Sequence, residues 1–264
     1  MSKKVLSVIA FAAGMACGGA YAGDIYLTGH DVDLHGNQNG YDHVILDYLR
    51  GSTPTASYRV GVVTGTLGFG SIGSGYGARI ERDIMSFADA TAFASFLSSV
   101  DVLVVASEET CGGCVFTAAD VTKLNSFRPQ VTSFFNAGGD IFGETGATNA
   151  NYYGFLPPSA VASGAPISGS SGFTATAAGL AIGIQPNNIN GFQTHNRFTS
   201  FDPAFTVMET RGAEIISLAL RGGSIDDGGG IVITPSIPEP ETYALMLAGL
   251  GVVGAVARRR KQKA

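Results

Sequence analysis

Apolar and polar positions follow two different periods along the first half of the chain. Asp24-Ile25-Tyr26-Leu27-Thr28 reads as a first strand, Tyr41 to Leu49 as a short helix, and Tyr58 to Thr64 as a second strand that runs into glycine. A glycine-rich loop, Gly65 to Gly77, follows. Asp89 can cap a helix through Leu97, because a short acceptor ahead of a helix takes up its first free amides. Val102-Leu103-Val104-Val105-Ala106 is continuously apolar, as in a parallel strand buried on both faces. Thr117-x-x-Asp120 has the spacing of a capping box and opens a longer helix to about Asn136, which Gly138-Gly139 closes before Asp140 to Gly143 starts the next strand. Four β-α units in succession predict an α/β fold with a doubly wound, mostly parallel sheet.

The alternation weakens after residue 150. Ser159 to Gly179 is rich in Ala, Ser and Gly and reads as an excursion without a core of its own. Phe205 to Thr210, Glu214 to Arg221 and Gly230 to Thr234 are strand candidates whose spacing predicts antiparallel strands added to the sheet edge in the C-terminal third.

Both ends carry a different pattern. Lys3 and Lys4 precede an apolar stretch from Val5 to Met15, and Ala20-Tyr21-Ala22 puts small residues where a signal peptidase cuts, so residues 1–22 read as a signal peptide removed before Gly23. Gly14 stands where a lipobox needs a large apolar residue, which argues against a lipid anchor at Cys17. At the other end, Pro235 to Pro240 forms a stiff linker, and the 15 residues Tyr243 to Ala257 are almost unbroken in apolarity before Arg258-Arg259-Arg260-Lys261. At ~1.5 Å per residue this run reaches roughly 22 Å, short of a ~30 Å hydrocarbon core, so it reads as a marginal, transient span with its basic end held in the cytoplasm. The expected organisation is a signal peptide (1–22), an α/β domain (23–234), a linker (235–240) and a C-terminal sorting helix with its basic stop (241–264).

Composition narrows the partners. The 264 residues are 45% hydrophobic and 14% charged, which excludes a disordered polyelectrolyte. Of 16 basic and 21 acidic residues, seven basic and one acidic lie in the two terminal segments, leaving nine against twenty and a net charge of −11. A body whose single lysine is Lys123 releases too few phosphate counterions to bind nucleic acid. Protein, glycan, cation and small-molecule partners remain.

Pro238-Glu239-Pro240, the apolar run and the Arg258-Arg259-Arg260 stop, in this order, resemble the PEP-CTERM sorting signal. The resemblance implies a substrate of an exosortase-like processing enzyme, exported after signal peptidase cleavage, passing through an inner-membrane intermediate to the cell surface or extracellular matrix of a Gram-negative bacterium, and associated with exopolysaccharide or biofilm. Residues 24–157 resemble the class I glutamine amidotransferase-like, flavodoxin-like fold, on Thr28-Gly29-His30-Asp31, the buried third strand and Gly138-Gly139-Asp140-Ile141-Phe142-Gly143. That family's enzymes carry a cysteine nucleophile on the elbow after this strand. Here the elbow reads Gly143-Glu144-Thr145-Gly146, without the thiolate such chemistry uses, so a non-catalytic surface role is expected.

Four clusters carry the candidate chemistry. His30-Asp31-x-Asp33-x-His35, followed by Asp42 and His43, falls at the carboxyl end of the first strand, where open α/β sheets gather ligands; His30, Asp31, Asp33 and His35 would suit a divalent metal, and equally a loop whose side chains bond to local backbone. Cys111-Gly112-Gly113-Cys114 reads as a disulfide in an oxidising compartment or as a redox pair ahead of a helix. Gly68-x-Gly70-x-x-Gly73 matches a dinucleotide fingerprint in spacing but follows the second strand, as a flexible loop would. Finally, His195 in Gln193-Thr194-His195-Asn196-Arg197 would act as base, with Glu144 as acid, in an alternative reading as a hydrolase or as a metal- or glycan-binding module.

Overall fold

The computed structural model describes residues 22–32, 40–66, 71–108, 116–146, 149–156, 161–162, 164–191, 193–225 and 231–233. In chain order the elements are β1 (Ile25–Thr28), α1 (Tyr41–Leu49), β2 (Val60–Thr64), β3 (Arg79–Asp83), α2 (Ala90–Leu97), β4 (Val102–Val105), α3 (Ala118–Ser126), α4 (Arg128–Asn136) and β5 (Asp140–Gly143). There follow β6 (Val161–Ala162), β7 (Thr174–Ala175), α5 (Ala177–Ala181), α6 (Pro186–Ile189), β8 (Ser200–Phe201), β9 (Thr206–Arg211), β10 (Glu214–Leu220), β11 (Gly223–Ile225) and β12 (Ile231–Ile233).

Eight strands form one sheet in the order β3-β2-β4-β5-β1-β10-β9-β7. The five from β3 to β1 are mutually parallel, while β10, β9 and β7 continue antiparallel. Numbered from β2, the first four parallel strands stand in the order 2-1-3-4, and the fifth place is filled by the chain's first strand. The helices cover both faces of the sheet, as right-handed crossovers require when the direction of the steps reverses. The step from β1 back to β2 puts α1 on one face, and the forward steps through α2, α3 and α4 put those helices on the other. Alternate residues of each strand therefore feed two cores: Ile25, Leu27, Val63, Leu103, Val105 and Ile141 meet α2, α3 and α4, whereas Tyr26, Val60, Val62, Val104 and Phe142 meet α1.

Local chemistry accounts for most boundaries. The Asp89 carboxylate accepts from the Ala92 amide, and Thr117 and Asp120 close a reciprocal capping box at the start of α3. The predicted long helix is two helices, because Pro129 in the first turn of α4 cannot donate to the preceding turn and the chain breaks at Phe127. β3 was not legible in the pattern: its charged residues lie on the sheet's edge, where polar side chains are tolerated. The strand near Gly230 to Thr234 is present as β12, but it pairs with β11 in a separate two-stranded sheet and adds nothing to the main edge. The excursion also contributes structure, since β7 extends the sheet and α5 lies beside β9. Among the described residues no helix is long and apolar enough to cross a membrane. The Tyr243 to Ala257 segment lies outside them.

Candidate functional site

Two polar assemblies gather where β1 ends. The first is wholly buried. β1 projects Tyr26 and Thr28 toward the α1 face, and the adjoining turn adds His30. β9 and β10 face them with Glu209 and Ser217, both also fully buried. His30 Nε2 lies 2.7 Å from Glu209 Oε2, and Nδ1 lies 2.6 Å from Thr194 Oγ1. The other carboxylate oxygen of Glu209 accepts from the Tyr26 hydroxyl at 2.7 Å and from the Tyr41 hydroxyl. Thr28 Oγ1 bonds to Ser217 Oγ at 2.9 Å. The edges of Tyr41 and Phe173 close over the imidazole.

Burial alone would raise the Glu209 pKa, but the His30 charge and the hydrogen bonds from His30, Tyr41 and Tyr26 hold it below the usual carboxylate range. Both tyrosines are pushed well above their ordinary values by burial and by Glu209. An ionised Glu209 accepts only, so Nε2 carries a proton toward it. Hydroxyl, imidazole and carboxylate thus stand in the order of a nucleophilic relay. With Thr194, His30 and Glu209 all at 0% exposure, no face of it is open to a substrate. What it does is tie β1, α1, β9, β10 and the 194 segment together.

The second assembly lies along the carboxyl edge of the parallel strands. Segment 193–196 runs beside 29–31: Gly29 O accepts from the His195 amide at 2.9 Å, and Asp31 N donates to Gln193 O at 3.3 Å. A Cβ on Gly29 would sit 1.9 Å from Asn196 O, so only glycine admits this approach. The Asp31 carboxylate, itself buried, is 3.5 Å from His195 Nε2, whose side chain is 16% exposed. Glu144, following β5, accepts from the Val32 amide at 3.2 Å and from Ser107 Oγ at 2.9 Å, which joins the ends of β5, β4 and β1. Glu144 and His195 are therefore linked through the Asp31-Val32 turn.

The other predicted residues divide clearly. His30 belongs to the buried assembly and Asp31 to the edge, while Asp33 and His35 lie outside the described residues. Among the described residues no group of three His, Cys, Asp or Glu could hold a metal ion. Asp42 accepts from the Gly73 amide at 3.2 Å and anchors the glycine-rich loop on α1; Gly73 adopts a φ of 77° against Val60. Cys111, Cys114, Gly68, Gly70, Pro238, Glu239, Pro240, Arg258, Arg259 and Arg260 lie outside the described residues. Glu209, Tyr26, Tyr41 and Ser107 escaped the sequence reading. The available signal for Glu209 was a carboxylate within the apolar-alternating strand at 206–211.

The opposite edge holds a cavity. About 350 Å³ opens at the amino ends of β2, β4 and β5, lined by Tyr58, Arg59, Asp101, Gly139 and Asp140 among others. Arg59 grips Asp101 through Nε and Nη2 at 3.0 and 2.6 Å. Asp140 accepts from the Asp24 amide at 2.8 Å and from the Tyr58 hydroxyl at 2.6 Å. Burial, with the charges of Asp24 and Asp101 adding to it, lifts the Asp140 pKa to about 7 despite those hydrogen bonds.

Fold and edges together define a mixed α/β domain with a mostly parallel sheet and added antiparallel strands. Beyond that domain, residues 236–261 match the PEP-CTERM protein-sorting motif. No curated protein and no solved structure matches the chain.

Proposed function

We propose that this is an exported protein, processed by an exosortase-like enzyme at the membrane, whose 23–234 domain acts without catalysis at the cell surface or in an exopolysaccharide-rich extracellular matrix of a Gram-negative bacterium. The sorting motif at residues 236–261 carries this reading. Physics supports its parts: Arg258, Arg259 and Arg260 resist crossing hydrocarbon by roughly 2.5–3.5 kcal/mol each at a helix centre, so the apolar run halts with its basic end inside. The class I glutamine amidotransferase-like fold is supported by the strand succession alone, and Glu144 stands at the elbow where those enzymes place cysteine.

Replacing Arg258, Arg259 and Arg260 by Ala should release the precursor from the membrane during export. Glu239→Ala should leave insertion intact and block tail removal. Fractionation with mass measurement separates the two phenotypes, and wild-type retention and processing in both variants would overturn the assignment.

A second reading, a glycan- or substrate-binding edge, is favoured by the 3.5 Å approach of His195 to Asp31 at the carboxyl ends of the strands. It predicts that a neutral or acidic oligosaccharide raises the melting temperature of the wild type and not of Asp31→Asn.

A further inference from the structure

The amino end of β1 is clamped unusually tightly. The Gly23 amide donates to Phe135 O in the last turn of α4 at 2.9 Å. A Cβ on Gly23 would lie 2.0 Å from Gly139 O and 3.1 Å from Asp140 N, so the Gly23 Cα rests on the Gly139-Asp140 backbone. Ala22, at 9% exposure, is packed into the core. The bond between Ala22 and Gly23 is thus closed off in the folded domain, and a peptidase must cut it before β1 docks.

Charges around this point do not balance. Asp24 faces Arg221 at 3.3 Å and Asp101 faces Arg59 at 2.6 Å. Asp140 has neutral donors, the Asp24 amide and the Tyr58 hydroxyl, and no ion pair among the described residues. Tyr48, the remaining titratable group facing Asp24 and Asp140, is neutral, its pKa pushed up to about 12 chiefly by burial. Among the described residues three acidic side chains therefore meet two guanidinium groups, at the C-terminus of a helix, where the macrodipole favours a cation.

We infer that this is a binding site for an ammonium group, and that its ligand is the chain's own α-ammonium at Gly23, created when the signal peptide is removed. The inference rests on the reading of residues 1–22 as a signal peptide. Hydrolysis of the Ala22-Gly23 bond leaves a carboxylate on Ala22 and an amine on Gly23, which takes up a proton near neutral pH. That amine keeps its donor to Phe135 O, gains two more, and supplies the third cation beside Asp140. Processing then completes the fold electrostatically, and the uncut precursor lacks this stabilisation.

The test compares the exported chain bearing a free Gly23 terminus with the same chain acetylated at Gly23. At about pH 7 the free form should melt about 2–6 °C higher. An α-amine that gains partners has a raised folded-state pKa, so on the alkaline side the advantage holds up to about pH 8 and should vanish by about pH 11, and on the acid side it fades as Asp140 takes up its proton. In Asp140→Asn the gap should shrink. Equal melting of the free and acetylated forms at about pH 7 overturns the inference, and needs no substitution in the fold. N-terminal sequencing of the exported protein reads the cleavage separately. A terminus other than Gly23 would overturn the signal-peptide reading, whereas a chain cut to Gly23 by an engineered protease site still reports on the ammonium site.

Discussion

Two buried carboxylates of this domain respond to pH in opposite directions. Glu209 has a folded-state pKa below its ordinary value, so the stability it contributes is present above the unfolded pKa of about 4.3 and is lost as pH falls through the folded value. Glu209→Gln should cost about 2–3 kcal/mol at neutral pH, because the buried donors of His30, Tyr26 and Tyr41 lose their ionised acceptor, and the deficit should narrow under acid. Urea unfolding at a series of pH values checks both, and a pH-independent deficit would remove Glu209 from the acid limb. Asp140 behaves conversely. With its pKa lifted to about 7, its contribution is complete below the unfolded value of 3.8 and lost as pH rises through 7. In a chain that retains Ala22, Asp140→Asn should therefore flatten the stability profile between those limits, and an unchanged slope would contradict the assignment. Gly23→Ala isolates geometry from charge. Alanine suits a signal peptidase, but its Cβ would strike Gly139 O, so cleavage should proceed while the product melts well below wild type.

At the scale of elements, the central position of β1 has a measurable correlate. It pairs with β5 on one side and β10 on the other, whereas β3 has a single neighbour, an exposed Arg82 and otherwise half-buried residues. Native-state hydrogen exchange should find the amides of Ile25 to Thr28 among the slowest and those of β3 among the fastest of the sheet; comparable rates in both would refute the assigned strand order. The existence of β1, α1, β4 and β5 was legible because their signals are local: apolar runs, cap spacing and glycine stops. The neighbours of β1 were not, since Ile25 meets Ile141 and Leu220 across more than a hundred residues, a pairing that no window of sequence contains. The same limit governed the site. His30 announced itself as a polar residue at a strand end, but its partner Glu209 stands 179 residues away. The break at Phe127 was different in kind, because Pro129 was in plain view and the helical pattern on either side outweighed it.

For the whole molecule, the described strands of the main sheet all lie before the linker at 235–240, so the sheet should be independent of the tail. A chain ending at Thr234 and exported with its own signal should melt within about 1 °C of the processed full-length protein while losing all membrane retention. A large drop in its melting temperature would place the tail in the fold. The location of β1 also sets a schedule for export. A polypeptide crosses a membrane in extended form, amino end first, and its leading strand here has β10 as one of its two neighbours. β1 therefore emerges early yet cannot be enclosed until residues 214–220 have followed. The sheet closes over its oldest segment at the very end of translocation, only some twenty residues before the Pro238-Glu239-Pro240 signal arrives. On the proposed export route, a chain so arranged would stay loose enough to thread for nearly its whole length and would close its sheet just ahead of the sorting motif.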